Sequence, residues 1–339
     1  MCPLLEQRPR LCETAHRCYG LEVASPSLTD LARTGVRTAR AFGTRIPGAG
    51  TVLARSLEDA VGGRIVMITG ASSGIGNAAA AKIGRAGGTV LLVARTEEKL
   101  RDTANQIERR GGTAYPYPCN LTDPNDIDRL AAEVLGRHGQ VDVIVNNAGK
   151  SIRRSISQSY DRFHDFQRTM SLNYFGPVKL LLDLLPGMRE RGSGHIVNIS
   201  TIGLQTNVPR YAAYVASKAA LDAFSRSVAA EVIQDGVHFT TVYMPLVRTP
   251  MIAPSRVYDR FPTLSPEEAA ELIAEAIRKR PKRVATPVGN LSQLNYALVP
   301  GVQDLVVNRA YKLFEEGESG DRRTAEQKAF IQATRGVHW

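Results

Sequence analysis

Two residues in the stretch YAAYVASKAA have side chains that can do acid–base chemistry together. Tyr214 and Lys218 are four positions apart, so on a helix they would share one face. A phenol has a pKa near ~10, and a neighbouring ammonium stabilises the phenolate and lowers that pKa. Such a tyrosine can give a proton to a carbonyl oxygen as hydride arrives, or take one in reverse. On this spacing alone, a helix that carries a tyrosine and a solvated lysine is the alternative.

The glycine-rich sequence TGASSGIG, residues 69–76, lies between the apolar run RIVMIT and an alanine-rich stretch, 77–87, that is predicted to be a helix. This strand–loop–helix context is where a glycine spacing predicts a dinucleotide site. Gly70 would allow the tight turn, Gly74 the approach of the pyrophosphate, and Gly76 close packing of the helix on the sheet. The N–H groups at the helix N-terminus would bind the phosphates.

The residue that follows the second predicted strand indicates which cofactor is preferred. Sites for NAD usually have an acidic residue about 20 positions after the glycine loop, where it binds the ribose 2′-hydroxyl. Arg95 occupies that place here, and Glu97 and Glu98 follow in the next predicted helix. Because a guanidinium matches a phosphate in charge and in fork geometry, we expect NADP(H).

Runs of strand length alternate with helical stretches through most of the chain. The expected strands are 64–69, 89–94, 113–118, 141–146, 195–200, 237–243 and 283–287. Alternation of this kind predicts βαβ units and a parallel sheet, and near-continuous apolar strands suit a sheet that is covered on both faces. We therefore predict an α/β fold, a single Rossmann-type doubly wound parallel sheet of about seven strands with helices on both faces.

The chain is expected to have three parts. Residues 1–60 show weak periodicity and are predicted to form a partly ordered N-terminal extension, and residues 61–288 form the Rossmann domain. Residues 289–339 are expected to be an amphipathic helical segment, 290–314, with a polar tail. Pro300 should interrupt that helical pattern. The segment could pack on the core, on a partner subunit or on a lipid surface, and its spacing favours none of these.

Charge and composition restrict the partners of the protein. The net charge of +10 favours anions such as nucleotide phosphates, coenzyme A, nucleic acid or anionic lipid. Since the basic runs lack interleaved aromatic residues, no nucleic-acid partner is expected. The four cysteines match no compact zinc pattern, so we expect no metal. No membrane-spanning run or secretory leader is apparent, which predicts a cytoplasmic protein and leaves peripheral membrane contact open.

Several short motifs occur in one order along the chain. They are TGASSGIG (69–76), NNAG (146–149), NYFG (173–176), YVASK (214–218) and VRTPM (247–251). Together they resemble the short-chain dehydrogenase/reductase family over about residues 62–287. The resemblance implies an oxidoreductase, and it also implies a homodimer or homotetramer that associates through the helices at about 158–190 and 211–235.

The resemblance assigns roles to the matching positions. Tyr214 would be the general acid/base, Lys218 would bind the nicotinamide ribose and lower the tyrosine pKa, and Asn173 would hold a water that links Lys218 to solvent. The family usually has a serine thirteen residues before the tyrosine, where this chain has Thr201 beside Ser200. We prefer Thr201, because its hydroxyl can donate and because strand alternation points Ser200 the other way. The residues expected to bind the cofactor are Gly70, Ser72, Ser73, Gly74, Ile75, Gly76, Arg95, Asn120, Leu121, Asn147, Ala148, Gly149, Tyr214, Lys218, Val247 and Thr249.

Two further positions depart from the family pattern. Asn120 replaces an aspartate near the adenine, where its amide oxygen would accept a hydrogen bond, and Met244–Pro245 replaces a Pro-Gly pair, which would place Met244 against the nicotinamide. Together with Thr201, the Met–Pro pair is compatible with a protein of another class, a catalytically silent NADP(H)-binding sensor or scaffold. The complete set of asparagine, tyrosine and lysine favours an enzyme.

The substrate is expected to be lipophilic. Residues 250–262 occupy the place of the family's substrate lid, and this segment has apolar side chains at Met251, Ile252, Val257, Tyr258 and Phe261. Within the family, the chain resembles bacterial fatty acyl-CoA reductases and related 3-oxoacyl reductases. The main prediction is reduction of a long-chain fatty acyl-CoA to the aldehyde, and the alternative is reduction of a 3-oxoacyl thioester or another ketone.

Two basic clusters and a second tyrosine have open interpretations. Arg153 and Arg154 could bind the phosphates of an acyl thioester of coenzyme A or a carrier protein, or they could be solvated. The run IRKRPKR, residues 277–283, is better explained as a solvated helix end. Tyr211 has no lysine four positions later, and it would line the substrate entrance or begin the helix.

Overall fold

A single parallel sheet positions the site. The structure is a computed structural model that describes residues 56–253 and 261–313, so the expected extension up to residue 55 and the polar tail lie outside the described residues. The strands are β1 (Ile65–Thr69), β2 (Thr89–Ala94), β3 (Thr113–Pro118), β4 (Val143–Asn146), β5 (Gly194–Thr201), β6 (Val237–Met244) and β7 (Arg283–Val284). Their order is β3-β2-β1-β4-β5-β6-β7, and all neighbours are parallel. The predicted doubly wound sheet is confirmed.

Helices cover both faces of this sheet, as predicted. The helices among the described residues are α1 (Leu57–Val61), α2 (Gly74–Arg85), α3 (Glu97–Glu108), α4 (Pro124–His138), α5 (Phe163–Met170), α6 (Gly176–Glu190), α7 (Ile202–Thr206), α8 (Ala212–Glu231), α9 (Pro266–Lys279), α10 (Pro287–Leu298) and α11 (Pro300–Leu313). Val66 and Ile68 of β1 belong to one buried cluster with α2, α3 and α9. Met67, between them, belongs to another with α4 and α6. Alternate strand residues therefore fill two separate cores, and each fully buried aliphatic side chain contributes about 1.5–3 kcal/mol.

The long helix expected at about 158–190 runs from Phe163 to Glu190 and contains a π-helical turn. A π-helical turn, Ser171–Phe175, separates α5 from α6. The extra residue in this turn coincides with the burial of Asn173, which is 0% exposed. π-Turns inside helices are rare and are often found at functional sites. The predicted long helix is therefore present from Phe163 to Glu190, and its π-turn lies at a predicted catalytic residue.

The C-terminal helical segment begins earlier than expected and is divided as predicted. Thr286 caps α10 by accepting the N–H of Gly289 at 3.1 Å, so β7 ends at Val284 instead of continuing to residue 287. Helix α10 contacts α7, since Nε2 of Gln205 donates to Oδ1 of Asn290 at 3.1 Å. Val299 separates α10 from α11, which starts at Pro300.

The described ranges contain neither a membrane-spanning helix nor a cluster of metal-ligating side chains. No helix in residues 56–253 or 261–313 is long and apolar enough to cross a bilayer. In the same ranges, no group of three or more His, Cys, Asp or Glu side chains is arranged to hold a metal ion.

Candidate active site

A large cavity lies at the carboxyl ends of strands β1 to β6. Its volume is about 1460 Å³. In doubly wound sheets this edge is where ligands bind, close to the point where the strand order reverses between β1 and β4. All the predicted cofactor residues line the cavity except Gly76, and the predicted catalytic residues line it except Asn173.

The glycine loop joins β1 to α2 in the conformation that glycine favours. Gly70 and Gly74 have φ angles of +69° and +55°. A Cβ atom at Gly76 would lie 2.4 Å from the carbonyl oxygen of Gly70, so this glycine permits close packing instead of lining the cavity. Helix α2 begins at Gly74, three residues before the predicted start, and Ser73 provides no side-chain cap. The N–H groups of the first turn can therefore bind a phosphate.

Thr69 and Asn147 hold this loop against the end of β4. Oγ1 of Thr69 accepts the backbone N–H groups of Asn147 and Ala148, each at 3.0 Å. Nδ2 of Asn147 donates to the carbonyl oxygens of Thr69 at 2.9 Å and Gly70 at 3.3 Å. The NNAG motif thus fixes the shape of the glycine loop, in addition to lining the cavity.

The end of β2 places a cation where the sequence predicts one. Arg95 is exposed at the cavity, and Lys99 lines the cavity beside it. Glu97, the nearby acid, is directed to Arg101 on the same helix, with 2.6 Å between the carboxylate and the guanidinium. The local charge at this part of the cavity therefore suits a phosphate.

Asn120 has a different set of contacts from those expected. Its Oδ1 accepts the hydroxyl of Thr122 at 2.8 Å, and its N–H donates to Asp126 at 2.6 Å. These bonds close the turn after β3. The side-chain oxygen expected to bind the adenine is thus already used within the turn, and Leu121 is its neighbour in the cavity lining.

Tyr214, Lys218 and Thr201 come together at the cavity wall. Tyr214 and Lys218 lie on α8, and Nζ of Lys218 donates to the carbonyl oxygen of Ile199 at 2.8 Å. Thr201 ends β5 and accepts the N–H of Gly203 at 3.0 Å, which caps α7. The Thr201 hydroxyl also forms a hydrogen bond with Tyr214. The threonine found thirteen residues before the tyrosine therefore faces it.

The pKa values of this group differ from the expectation. Burial raises the pKa of Tyr214 to about 12, and its hydrogen bond with Thr201 acts in the opposite direction. Burial also lowers the pKa of Lys218 to about 8. The expected net lowering of the tyrosine pKa by Lys218 is wrong here, because loss of solvent around the phenol outweighs the stabilisation of its phenolate.

Asn173 lies behind the cavity wall. Its Oδ1 accepts the N–H of Lys150 at 2.8 Å, and its Nδ2 donates to the Lys150 carbonyl and to Oγ of Ser217, each at 2.9 Å. A Cβ atom at Gly149 would lie 3.4 Å from Asn173 Oδ1 and 3.5 Å from Lys218 Nζ. Both side chains thus approach Gly149. Ser217 was not singled out from the sequence, and its only signal was its place beside Lys218.

Ser200 and Met244 occupy the ends of neighbouring strands. Ser200 is buried, and its hydroxyl makes no hydrogen bond within the described structure. Thr201 is in register with Met244, so both residues reach the cavity at the same level. Met244 lines the cavity and also packs into the apolar core, and its contact with the nicotinamide stays a prediction.

The substrate side of the cavity combines apolar and basic residues. Met251 and Phe261 of the expected lid line it, whereas Val257 and Tyr258 lie outside the described residues. Tyr211 also lines the cavity and is the N-cap residue directly before α8, in agreement with both of its interpretations.

The two neighbouring arginines have separate positions. Arg153 lines the cavity together with His164 and Arg168. Arg154 does not, because its Nε donates to the buried carboxylate of Asp165 at 3.1 Å. Neither of the two open interpretations, phosphate binding or solvation, holds for Arg154, because its ion pair with Asp165 holds α5 to the loop after β4.

Helix α11 also reaches the cavity. Ala310 and Tyr311 line it, and the guanidinium of Arg210 lies 4.2 Å from the centre of the Tyr311 ring. Nη2 of Arg210 donates to the Tyr311 carbonyl oxygen at 3.3 Å. Arg210 has a φ of +69°, which is uncommon for a residue other than glycine. This wall was not predicted, since no local pattern connects two residues 101 positions apart.

A family model described as short chain dehydrogenase matches residues 64–258, more than half of the chain. The chain belongs to the short-chain dehydrogenase family. An uncharacterized oxidoreductase of Mycobacterium tuberculosis is 53% identical over 300 residues, which are 85% of this chain and 88% of that protein. A fatty acyl-CoA reductase of Acinetobacter baylyi is 50% identical over 283 residues, which are 82% of this chain and 96% of that protein.

A solved structure agrees with this membership. A metagenomic short-chain oxidoreductase, crystallised in complex with NADP, is 32% identical, with a TM-score of 0.57. The alignment covers 66% of this short-chain dehydrogenase and 97% of the solved chain. The resemblance predicted from the motifs is therefore confirmed at the level of the family, and the chain is an oxidoreductase of that family.

Proposed function

We propose that this short-chain dehydrogenase reduces a long-chain fatty acyl-CoA to the aldehyde with NADPH. The similarity to the fatty acyl-CoA reductase of Acinetobacter baylyi, which extends over 96% of that protein, carries the proposal. The cavity supports it, because its lining combines Tyr214 with apolar side chains at Met251 and Phe261 and with a cation at Arg153. An acyl chain and a phosphorylated carrier need this combination.

The residues at the glycine loop and at the end of β2 fit a phosphorylated dinucleotide. The uncapped first turn of α2 would hold the pyrophosphate, and Arg95 with Lys99 would hold the 2′-phosphate. By family resemblance, Lys218 would bind the nicotinamide ribose and Thr249 the carboxamide. When bound, NADPH supplies a hydride to the carbonyl carbon of the substrate.

Tyr214 is the proton donor in this proposal. With a pKa of about 12 the phenol stays protonated near neutral pH, which suits donation to an oxyanion. As the carbonyl oxygen gains negative charge, Tyr214 transfers its proton and Thr201 donates a hydrogen bond to the same oxygen. The carbon–sulfur bond of the resulting hemithioacetal then breaks, which leaves the aldehyde and, after protonation, the thiol of coenzyme A. The reaction consumes one hydride and one proton.

The basic side of the cavity is proposed to bind the phosphates of coenzyme A. The Arg153→Ala variant should raise KM for palmitoyl-CoA about tenfold, as expected for the loss of one charge-assisted hydrogen bond. It should leave KM for a palmitoyl thioester of N-acetylcysteamine unchanged, because that substrate has no phosphate. Arg110→Ala, which removes an exposed arginine that does not line the cavity, is the matched control. Equal effects on both thioesters would contradict the assignment.

We also propose a homodimer or homotetramer that associates through α6 and α8. Phe175 and Leu182 are exposed apolar side chains at the start and in the middle of the α6 region, which supports the family-based expectation. Leu182→Glu should therefore shift the sedimentation coefficient toward that of a monomer. A wild-type protein that sediments as a monomer at micromolar concentration would contradict this proposal.

Product analysis tests the activity directly. Palmitoyl-CoA and a 3-oxoacyl-CoA are supplied in parallel with NADPH, and the Tyr214→Phe variant serves as the control. Aldehyde and free thiol from palmitoyl-CoA would support the proposal. A 3-hydroxyacyl-CoA with its thioester intact would favour the ketone alternative. Binding of NADPH without turnover of either substrate would favour the sensor or scaffold.

A further inference from the structure

The turn between α10 and α11 is an exposed apolar tip. All nine residues from 294 to 302 are exposed, and Leu305 on the next turn is exposed as well. We call residues 294–305 the apolar tip. Its most exposed large apolar side chains are Leu298, at 71%, and Leu305, at 73%. The exposed large apolar residues of the tip are Leu294, Tyr296, Leu298, Val299, Val302 and Leu305.

The shape and composition of the tip distinguish it from an ordinary helix surface. A helix packed on its own domain buries every third or fourth residue, whereas here consecutive residues are all exposed. The apolar side chains of the tip therefore face solvent in the described part of the chain, while Gln303 donates from Nε2 to Oγ of Ser292 on α10 at 2.7 Å. Residues 284–303 also contain no charged side chain. An apolar protrusion of this kind is suited to insertion into a lipid interface and offers no groove for a peptide or helix.

Basic residues flank the tip along the chain. Five of the six residues from 278 to 283 are Arg or Lys, and Arg309 and Lys312 follow on α11. Asp304 is the only acidic residue between 284 and 313. Nη2 of Arg283 donates to Oε1 of Gln293 at 2.6 Å, which places Arg283 beside α10 at the base of the tip. Cations beside an exposed apolar element are attracted to anionic headgroups.

The hairpin that carries the tip is also a wall of the active-site cavity. Tyr311 lines the cavity, and its contacts with Arg210 hold α11 in place. A tip inserted in a bilayer would therefore bring the cavity close to the membrane surface. That arrangement suits a lipophilic substrate, whose identity rests on the proposed function, although lipid binding itself does not depend on turnover.

From these observations we propose that the apolar tip docks this protein on anionic lipid surfaces. Leu298 and Leu305 enter the headgroup region, and the basic residues that flank the tip contact the anionic headgroups. The docking is peripheral and reversible, because two short helix ends bury too little apolar surface for permanent anchoring.

Vesicle flotation of the full chain tests the proposal. Wild-type protein should float with phosphatidylcholine vesicles that contain phosphatidylglycerol, and less with phosphatidylcholine alone. Added salt should weaken the binding, since it screens the charged contacts. The double variant Leu298→Asp/Leu305→Asp should lower the partition coefficient about tenfold or more, because each leucine loses its apolar burial.

A matched control keeps the experiment specific. Ile233→Asp changes another exposed apolar residue, 54% accessible, which precedes the amino end of β6, whereas the cavity lies at the carboxyl ends of the strands. It should bind vesicles as the wild type does. Retained NADPH binding and an unchanged Tm would show that the double variant is folded. In a second measurement, brominated lipids should quench a tryptophan introduced by Leu298→Trp and should not quench one introduced by Ile233→Trp.

The proposal is overturned if wild-type protein does not bind anionic vesicles, or if the double variant binds as well as the wild type. It is also overturned if the double variant loses only self-association, measured by sedimentation, since the tip would then be a contact between subunits. Failure of the proposed function would look different: vesicle binding would persist while no acyl-CoA was reduced.

Discussion

Replacement of Lys218 by methionine should change the pH dependence of stability in a way that can be worked out from the structure. Lys218 is 4% exposed, and burial lowers its pKa from 10.5 to about 8. Below pH 8 the Lys218 ammonium is buried in the folded protein, whereas in the unfolded chain the same ammonium is solvated by water. The gap between the two pKa values corresponds to about 3 kcal/mol of lost stability when the group is charged in both states.

The sign follows from proton binding. Between pH about 8 and about 10.5, the unfolded chain keeps the Lys218 proton and the folded state does not. The contribution of Lys218 to the free energy of unfolding is thus lowest below pH 8, and it rises with pH through that window. Lys218→Met has no such titration. The free energy of unfolding of the wild type minus that of the variant should therefore increase by about 3 kcal/mol across the window.

The change with pH, and not the absolute difference, is the informative quantity. Methionine removes the hydrogen bond to the Ile199 carbonyl, 2.8 Å long, and this adds a cost of about 1–3 kcal/mol that does not vary with pH. Lys218→Arg keeps a charge at every pH, so it should be less stable than Lys218→Met. Its difference from the wild type should nevertheless show the same slope.

Urea unfolding followed by far-UV circular dichroism, at a series of pH values and without added cofactor, gives these free energies. Titrations of all other groups are common to the wild type and the variants and cancel in the differences. A difference that stays flat between pH 8 and pH 10.5 would refute the argument that burial depresses the pKa of Lys218.

Three further outcomes are expected. Arg95→Ser should raise Kd for NADPH about 10- to 100-fold, because a charge-assisted contact is lost, and should leave Kd for NADH unchanged. Wild-type protein that binds NADH as tightly as NADPH would contradict the role of this residue. Thr201→Val should lower kcat about 10²-fold, as for other oxyanion donors, while kcat of Ser200→Ala stays near that of the wild type. The reverse pattern in steady-state kinetics would assign the hydrogen bond to the substrate oxygen to Ser200. Tyr311→Ala should enlarge the cavity and shift the kcat/KM optimum toward longer acyl chains, whereas Tyr296→Ala, outside the cavity, should not; identical chain-length profiles would remove Tyr311 from the substrate site.

The sequence by itself determined the sheet, the glycine loop and the chemical class of the site. These depend on local patterns, such as β-branched apolar runs for the strands and glycines at Gly70 and Gly74, where φ is positive. The motif around Tyr214 and the arginine after β2 could likewise be identified from residue type and spacing, because each follows directly from one element of the fold.

Contacts between distant segments were decided only by the tertiary structure. The same contacts determine how far each side chain is removed from water. Asn173 is turned inward by a π-turn that no composition pattern predicts, and Arg154 is engaged by Asp165 while Arg153 remains at the cavity. The raised pKa of Tyr214 has the same origin. A pKa depends on everything packed around the group, and residues far apart in the chain supply most of that environment, so spacing along the sequence could identify the tyrosine but not its titration.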